Sequence, residues 1–125
     1  MFNIGLIGYG YWGPKLSRNF SNSDNFNLHS ICDLKSSRLK DAKKNYPNVK
    51  TFNDYKKALK VNRYKLVCIS TPTVTHFKIA KYILSNHINV LVEKPLCFNL
   101  KEHLHLNQLA KKNNVKIFID YPFVH

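Results

Sequence analysis

The sequence predicts an α/β fold in which a doubly wound parallel sheet has helices on both faces. Six apolar runs, rich in β-branched residues, alternate with stretches whose apolar residues recur at helical spacing. The runs have the length of buried strands and lie at 3–7, 28–32, 49–52, 66–70, 89–92 and 115–119. Because right-handed crossovers place helices on both faces of a parallel sheet, a three-layer αβα arrangement follows.

Two of the predicted helices carry recognisable start signals. Asn99 followed by Glu102 resembles a capping box at the start of the last helix. Thr71 and Pro72 are predicted to be the N-cap and the first turn of the helix that contains His76.

Size and composition are those of one ordinary globular domain. The chain has 125 residues, of which 44% are hydrophobic and 22% are charged, and this length suffices for one core. Its three cysteines lack CxxC spacing, so we expect no disulfide framework and no metal site, with Cys32 and Cys68 buried in the core. Since neither a leader nor a membrane-spanning run is recognisable, we expect a cytoplasmic protein without a membrane partner.

The formal net charge of +13 raises the question of a nucleic-acid partner. The cations are scattered over several predicted helices, and lysine greatly outnumbers arginine. The sequence contains no helix-turn-helix signature, RNP-type aromatic pattern or arginine cluster. We therefore interpret the charge as solvated helix faces and expect no nucleic-acid partner, although a basic surface suits an anionic ligand such as a dinucleotide or nucleotide-sugar.

A glycine-rich loop follows the first predicted strand. Gly8, Gly10 and Gly13 form a GxGxxG motif between that strand and a predicted helix. In such a loop the first glycine permits a tight turn, the second lets a pyrophosphate approach the backbone, and the third lets helix and strand pack closely. Free N–H groups at the helix start, next to Tyr11 and Trp12, would then face the phosphates. The alternative is a glycine turn without a ligand.

The position of Asp33 favours the ligand-binding interpretation. It lies 20 residues after Gly13 and directly after the second predicted strand, where a carboxylate accepts hydrogen bonds from the adenosine ribose. We therefore predict a Rossmann dinucleotide-binding domain over residues 1–120. A 2′-phosphate would meet a like charge at Asp33, so NAD is preferred as cofactor over NADP. Four residues that follow closely could bind a 2′-phosphate if Asp33 turned away: Lys35, Ser36, Ser37 and Arg38.

Polar residues also follow the fourth and fifth predicted strands. They read Ser70-Thr71-Pro72, then His76, and Glu93-Lys94-Pro95. Taken alone, they are explained by an ordinary helix start and by a surface salt bridge with a turn. However, open α/β sheets bind their ligands at the carboxyl ends of the strands, so these residues are also candidates for a site.

Taken in chain order, these segments resemble the N-terminal domain of the glucose–fructose oxidoreductase / inositol dehydrogenase / MocA family. The resemblance covers essentially the whole chain and depends on the ordered set of segments. It implies an NAD-dependent dehydrogenase that transfers a hydride between nicotinamide and a hydroxyl of a sugar, nucleotide-sugar or cyclitol. It also implies that Lys94 is the catalytic residue and shares in proton transfer. The cofactor-binding residues that it implies beside the glycine loop and Asp33 are Ser70, Thr71, Pro72, His76, Glu93 and Lys94.

Members of that family carry a second α/β domain, and we expect these 125 residues to contain no counterpart of it. We expect residues 121–125 to begin the connection to this C-terminal substrate domain. We also expect the chain to bind cofactor and to turn over a small sugar-type substrate weakly or not at all. Its expected macromolecular partner is either the missing domain or a second copy of the chain. The alternative is a non-catalytic dinucleotide-binding module, or a subunit that needs a separate substrate domain.

Overall fold

The computed structural model describes residues 1–10, 12–61 and 63–120, in which strands and helices alternate. The strands are β1 (Phe2–Ile7), β2 (Phe26–Cys32), β3 (Lys50–Phe52), β4 (Leu66–Ile69), β5 (Asn89–Glu93) and β6 (Ile117–Asp120). The α-helices are α1 (Gly13–Ser21), α2 (Ser36–Asn45), α3 (Tyr55–Lys60), α4 (His76–Ser85) and α5 (Leu100–Lys112). Each predicted strand is present, and its bounds differ from the prediction by two residues or fewer at each end.

The strands form one parallel sheet in the order β3-β2-β1-β4-β5-β6. The order reverses between β1 and β4, and such a switch point is where doubly wound sheets bind ligands. Backbone hydrogen bonds continue beyond the strands there, with Gly8 N donating to Cys32 O (2.7 Å) and Ser70 N donating to Ile7 O (2.8 Å). The carboxyl ends of β1, β2 and β4 therefore lie side by side, and the predicted doubly wound Rossmann fold is confirmed.

Two apolar cores cover the two faces of the sheet. One includes Leu16 of α1 and Ala42 of α2, and the other includes Leu84 of α4 and Leu106 of α5. Burying a leucine of this kind contributes roughly 1.5–3 kcal/mol to folding. The three-layer arrangement is confirmed, and Cys32 and Cys68 are buried as predicted. In the described part of the chain, none of the helices combines the length and apolar character needed to cross a bilayer.

The two helix-start predictions had different outcomes. Asn99 is the N-cap of α5, and its side chain accepts a hydrogen bond from the Glu102 amide at 2.8 Å. The prediction for α4 was wrong, because a 3₁₀ turn over Thr73–Thr75 comes first and α4 begins only at His76. The Thr71 hydroxyl does not cap the helix but lies 2.6 Å from the hydroxyl of Thr75.

Candidate functional site

The glycine loop is closed tightly on itself and against β4. Gly8 has a φ of +101°, which an L side chain rarely adopts, and a Cβ there would lie 2.4 Å from the Ser70 carbonyl oxygen. A Cβ on Gly13 would lie 2.3 Å from the Gly8 carbonyl oxygen. At Gly10 the nearest atom is only the guanidinium tip of Arg38, at 3.3 Å. The backbone is therefore closely packed at the first and third glycines and bordered by a flexible side chain at the second.

Helix α1 begins directly after this loop. Trp12 is its N-cap residue and Pro14 lies in its first turn, and no side chain of the described residues caps its amides. An uncapped helix start presents N–H donors and a partial positive charge to an anion. The ammonium of Lys15 lies 4.5 Å from the centroid of the Trp12 ring. Tyr11, the remaining loop residue predicted to bind cofactor, lies outside the described residues.

The carboxylate of Asp33 is held in a defined orientation at the end of β2. Its side chain is only 5% exposed. Oδ2 accepts a hydrogen bond from the Tyr9 amide at 2.8 Å, and Oδ1 accepts one from the Lys35 amide at 2.9 Å. Nη1 of Arg38 lies 3.6 Å from Oδ2. Because backbone amides on both sides hold the carboxylate, Asp33 does not turn away from the glycine loop in this structure.

A cleft of about 480 Å³ adjoins the loop between α1 and α2. Its lining residues are Tyr9, Gly10, Pro14, Arg38, Asp41, Lys44 and Asn45. The Asn45 side chain donates a hydrogen bond to the Tyr9 hydroxyl at 3.1 Å, which joins α2 to the loop. Sequence reasoning missed this cleft, because its walls come together only when the two helices pack. The one available signal was the closeness of Arg38 to Asp33 in the chain.

The thiol next to Asp33 is a core group and not a reactive one. Burial, with smaller contributions from the charges of Asp33 and Asp54, raises the pKa of the Cys32 thiol to about 12. The thiol is therefore uncharged at neutral pH, whereas a reactive cysteine needs its thiolate. Within the described ranges, no three His, Cys, Asp or Glu side chains are grouped so that they could hold a metal ion.

At the end of β4, one buried polar atom has a bearing on ligand binding. The hydroxyl oxygen of Ser70 is buried and has no hydrogen-bond partner within the described part of the chain. Buried hydroxyls are normally satisfied, so an exception of this kind is typical of a position that a ligand or water completes. Thr71 and Pro72 continue the loop, with Pro72 exposed to solvent. The ring of His76 is instead buried, because the residue is only 1% exposed.

The Glu93-Lys94-Pro95 segment begins at the end of β5. Glu93 is 7% exposed, Lys94 is exposed, and the Lys94–Pro95 peptide bond is cis. A second cleft, of about 270 Å³, joins this strand end to the start of α1. Its lining residues are Trp12, Lys15, Leu16, Arg18, Asn19 and Glu93. The structure thus brings the acidic residue of the segment to the same cleft as the glycine loop.

Segments far apart in the sequence therefore meet at one edge of the sheet. Asp33 contacts the loop through the Tyr9 amide, Ser70 borders the Gly8 turn, and His76 contacts backbone atoms of both Thr71 and Pro95. This is the arrangement of a dinucleotide-binding edge, with an acidic residue beside the loop and polar residues across the switch point. In agreement with it, the model of an oxidoreductase family with an NAD-binding Rossmann fold matches residues 2–121.

The chain belongs to the glucose–fructose oxidoreductase / inositol dehydrogenase / MocA family. An uncharacterized oxidoreductase of Bacillus subtilis is 34% identical over 83 residues, which are 66% of this chain and 21% of that protein. Myo-inositol 2-dehydrogenase of Thermotoga maritima is 26% identical over 118 residues, which are 94% of this chain and 35% of that enzyme.

A solved structure of the same family shows the same architecture. The crystal structure of myo-inositol 2-dehydrogenase from Lactobacillus plantarum superposes with a TM-score of 0.88 at 25% identity. The match covers 95% of this chain but 36% of that enzyme. The chain therefore spans about a third or less of the length of these relatives. The family and the fold of this chain are therefore shown by the matches over residues 2–121 and over 95% of its length.

Proposed function

We propose that this chain is the NAD-binding part of a dehydrogenase that acts on a hydroxyl group of a sugar, nucleotide-sugar or cyclitol. The observation that carries the proposal is the fixed Asp33 carboxylate beside a closed glycine loop and a helix start that no described side chain caps. The family supports the oxidoreductase class. The substrate class is supported by the inositol dehydrogenases among the relatives.

The adenosine end of the cofactor is assigned to Asp33. A carboxylate has about four acceptor positions, and the Tyr9 and Lys35 amides use one on each oxygen, so the two ribose hydroxyls can still donate to it. A 2′-phosphate would face the same fixed negative charge, and Arg38 at 3.6 Å offsets that charge only in part. The preferred cofactor is therefore NAD.

The pyrophosphate is assigned to the loop between Gly10 and Gly13. The three atoms nearest to the side of Gly10 that would carry a Cβ belong to the guanidinium of Arg38 and not to backbone, so a phosphate can come close to the backbone when this side chain yields. The first amides of α1, which no side chain of the described residues caps, would donate hydrogen bonds to it.

The nicotinamide end is assigned to the ends of β4 and β5. The buried Ser70 hydroxyl, which lacks a described partner, is a donor and acceptor for this part of the cofactor. The chemistry supplied by bound NAD is transfer of a hydride to or from its nicotinamide ring. Lys94 would hold or move the proton of the substrate hydroxyl, and Glu93 would support Lys94. Turnover would further require a substrate domain, and a cytoplasmic location stays a prediction.

A fluorescence titration tests the proposal directly. Trp12 is the only tryptophan and is the N-cap of α1, so its emission should report a nucleotide bound at the loop. Because Asp33 disfavours a 2′-phosphate, NADH should quench this emission at lower concentrations than NADPH. Asp33→Asn keeps an acceptor oxygen but removes the charge. Exchanging a charged for a neutral acceptor costs roughly 1 kcal/mol, so the preference for NADH should shrink about five- to tenfold.

The matched control is Asp24→Asn, a change at an exposed aspartate on the turn before β2, at the opposite edge of the sheet. This variant should keep the wild-type preference. Absence of binding of either nucleotide to the wild type, verified by calorimetry, would reject the proposal. Tighter binding of NADPH than of NADH would reject the assignment of Asp33.

A further inference from the structure

The buried ring of His76 lies between the two loops that follow β4 and β5. His76 is the first residue of α4 and is 1% exposed. Its Nδ1 lies 2.9 Å from the carbonyl oxygen of Pro95, and its Nε2 lies 2.8 Å from the carbonyl oxygen of Thr71. Both ring nitrogens are therefore engaged with backbone atoms, each from a different loop.

A neutral ring cannot donate a hydrogen bond in both of these contacts. Carbonyl oxygens only accept hydrogen bonds, so each contact needs an N–H from the ring, and a neutral imidazole has one N–H. One of the two loops is thus held by a true hydrogen bond from His76, and the other is held by close packing against the ring. A buried hydrogen bond of this kind exchanges slowly with solvent and resists displacement.

The two loops carry different parts of the candidate site. Thr71 directly follows Ser70, whose carbonyl borders the Gly8 turn, and Pro95 directly follows Lys94. The ring therefore connects the loop on the cofactor side to the turn that presents Lys94. The helix that carries the ring is fixed in place, because α4 packs against α5 and buries Ile83 and Leu84 in the core.

We propose that His76 is a positioning residue, which sets the place of Lys94 relative to the Thr71 loop by donating a hydrogen bond to one of the two backbone carbonyls and packing closely against the other. This inference rests on the proposed role of Lys94 toward the substrate hydroxyl. The physical reason is that proton and hydride transfer require reacting groups held within a few tenths of an ångström. His76 acts on this geometry through the backbone and needs no contact of its own with substrate.

The competing explanation is that the ring only fills space in the core. Three variants separate the two explanations. His76→Phe keeps most of the ring volume but removes both nitrogens. His76→Asn keeps a donor near the position of Nδ1, facing Pro95, and His76→Gln keeps one near the position of Nε2, facing Thr71. His105→Phe is the matched control, because its ring contact with Phe77 is one that phenylalanine can also make.

The measurement is backbone ¹⁵N relaxation and ¹H–¹⁵N chemical shifts of the whole chain without cofactor. His76→Phe should lower the order parameters of Lys94, Leu96 and Thr71 from about 0.85 toward about 0.6. The strand amides should stay unchanged. Rigidity should return at Lys94 and Leu96 in His76→Asn, or at Thr71 in His76→Gln, according to which carbonyl accepts the hydrogen bond of the wild-type ring. His105→Phe should change none of the three.

Unchanged order parameters at Lys94 and Leu96 in His76→Phe would overturn the inference. Equal loosening of the whole core without selective rescue would also overturn it, because that is the behaviour of a space-filling ring. Should His76→Phe fail to fold, the contrast between His76→Asn and His76→Gln still decides. Since no cofactor is added, loss of NADH binding in the titration above would reject the proposed function and leave this result standing.

Discussion

The Asp33 region and the Lys94 region lie at the same edge of the sheet but are built differently. Asp33 is buried, and its carboxylate oxygens accept hydrogen bonds from one backbone amide of the glycine loop and one of its own loop. Lys94 is exposed, and the turn that carries it is held from behind, where His76 contacts the carbonyl of Pro95. In the first region the functional side chain itself is held in one orientation. In the second region only the backbone is held, and the Lys94 side chain is exposed to solvent.

This difference separates binding from chemistry. A pre-oriented carboxylate loses little entropy when a ligand arrives, so the proposed cofactor contact at Asp33 should need no further part of the protein to orient it. Burial and nearby charges are what shift the pKa of a lysine. An exposed lysine therefore acquires a catalytic environment only when substrate or another protein surface covers it. Substitutions in the two regions should therefore differ in kind as well as in size.

The largest effect is expected from Gly13→Ala. The added Cβ would lie 2.3 Å from the Gly8 carbonyl oxygen, and neither backbone can yield without moving the loop. We expect the free energy of unfolding, measured by urea denaturation, to fall by about 1–3 kcal/mol. We also expect NADH binding to be lost.

Gly10→Ala is the matched comparison for that variant. The atoms nearest to its Cβ would be those at the end of the Arg38 side chain, so the fold should be kept within about 1 kcal/mol while NADH affinity falls. Equal destabilisation by both variants would contradict the view that the first and third glycines close the loop.

An intermediate effect is expected from raising the pH. Burial raises the pKa of the Cys32 thiol from its ordinary value near 9 to about 12, so the folded state keeps a proton that the unfolded state loses. The stabilisation is complete below pH 9 and is lost as the pH rises toward 12. Raising the pH from 8 to 10 should therefore lower the free energy of unfolding by roughly 1 kcal/mol.

Urea denaturation at both pH values checks this term. Cys32→Ala lowers stability at each pH but should remove this part of the pH dependence. An undiminished alkaline loss in that variant would show that the thiol is not its source.

The smallest effect is expected from Lys94→Met. Because the side chain is exposed, the free energy of unfolding should stay within about 0.5 kcal/mol, and NADH affinity should fall less than in Asp33→Asn. Lys112→Met, at the end of α5, is the control for removing one positive charge. A loss of NADH affinity greater than that of Asp33→Asn would reverse the comparison between the two regions.

Much of the fold was predictable because its signals are local. Buried parallel strands read as short apolar runs, and β1, β2 and β4 appear where those runs do. The start of α4 was mispredicted, because a threonine before a proline is an equally good start for a helix or a 3₁₀ turn. The Thr71–Thr75 hydroxyl contact that accompanies the turn is not visible in residue types alone.

Residue types and their spacing were enough to predict the alternation of strands and helices, the glycine loop and the acidic residue at the end of β2. Each of these depends on residues within one turn or one strand of each other, where sterics and periodicity act directly. The packing of helices on the sheet is what places both Asp33 oxygens against backbone amides and leaves a cleft beside Gly10 between α1 and α2. It also brings His76 into contact with a carbonyl 19 residues away. Contacts of this range depend on how helices pack on the sheet, and packing is a property of the whole core.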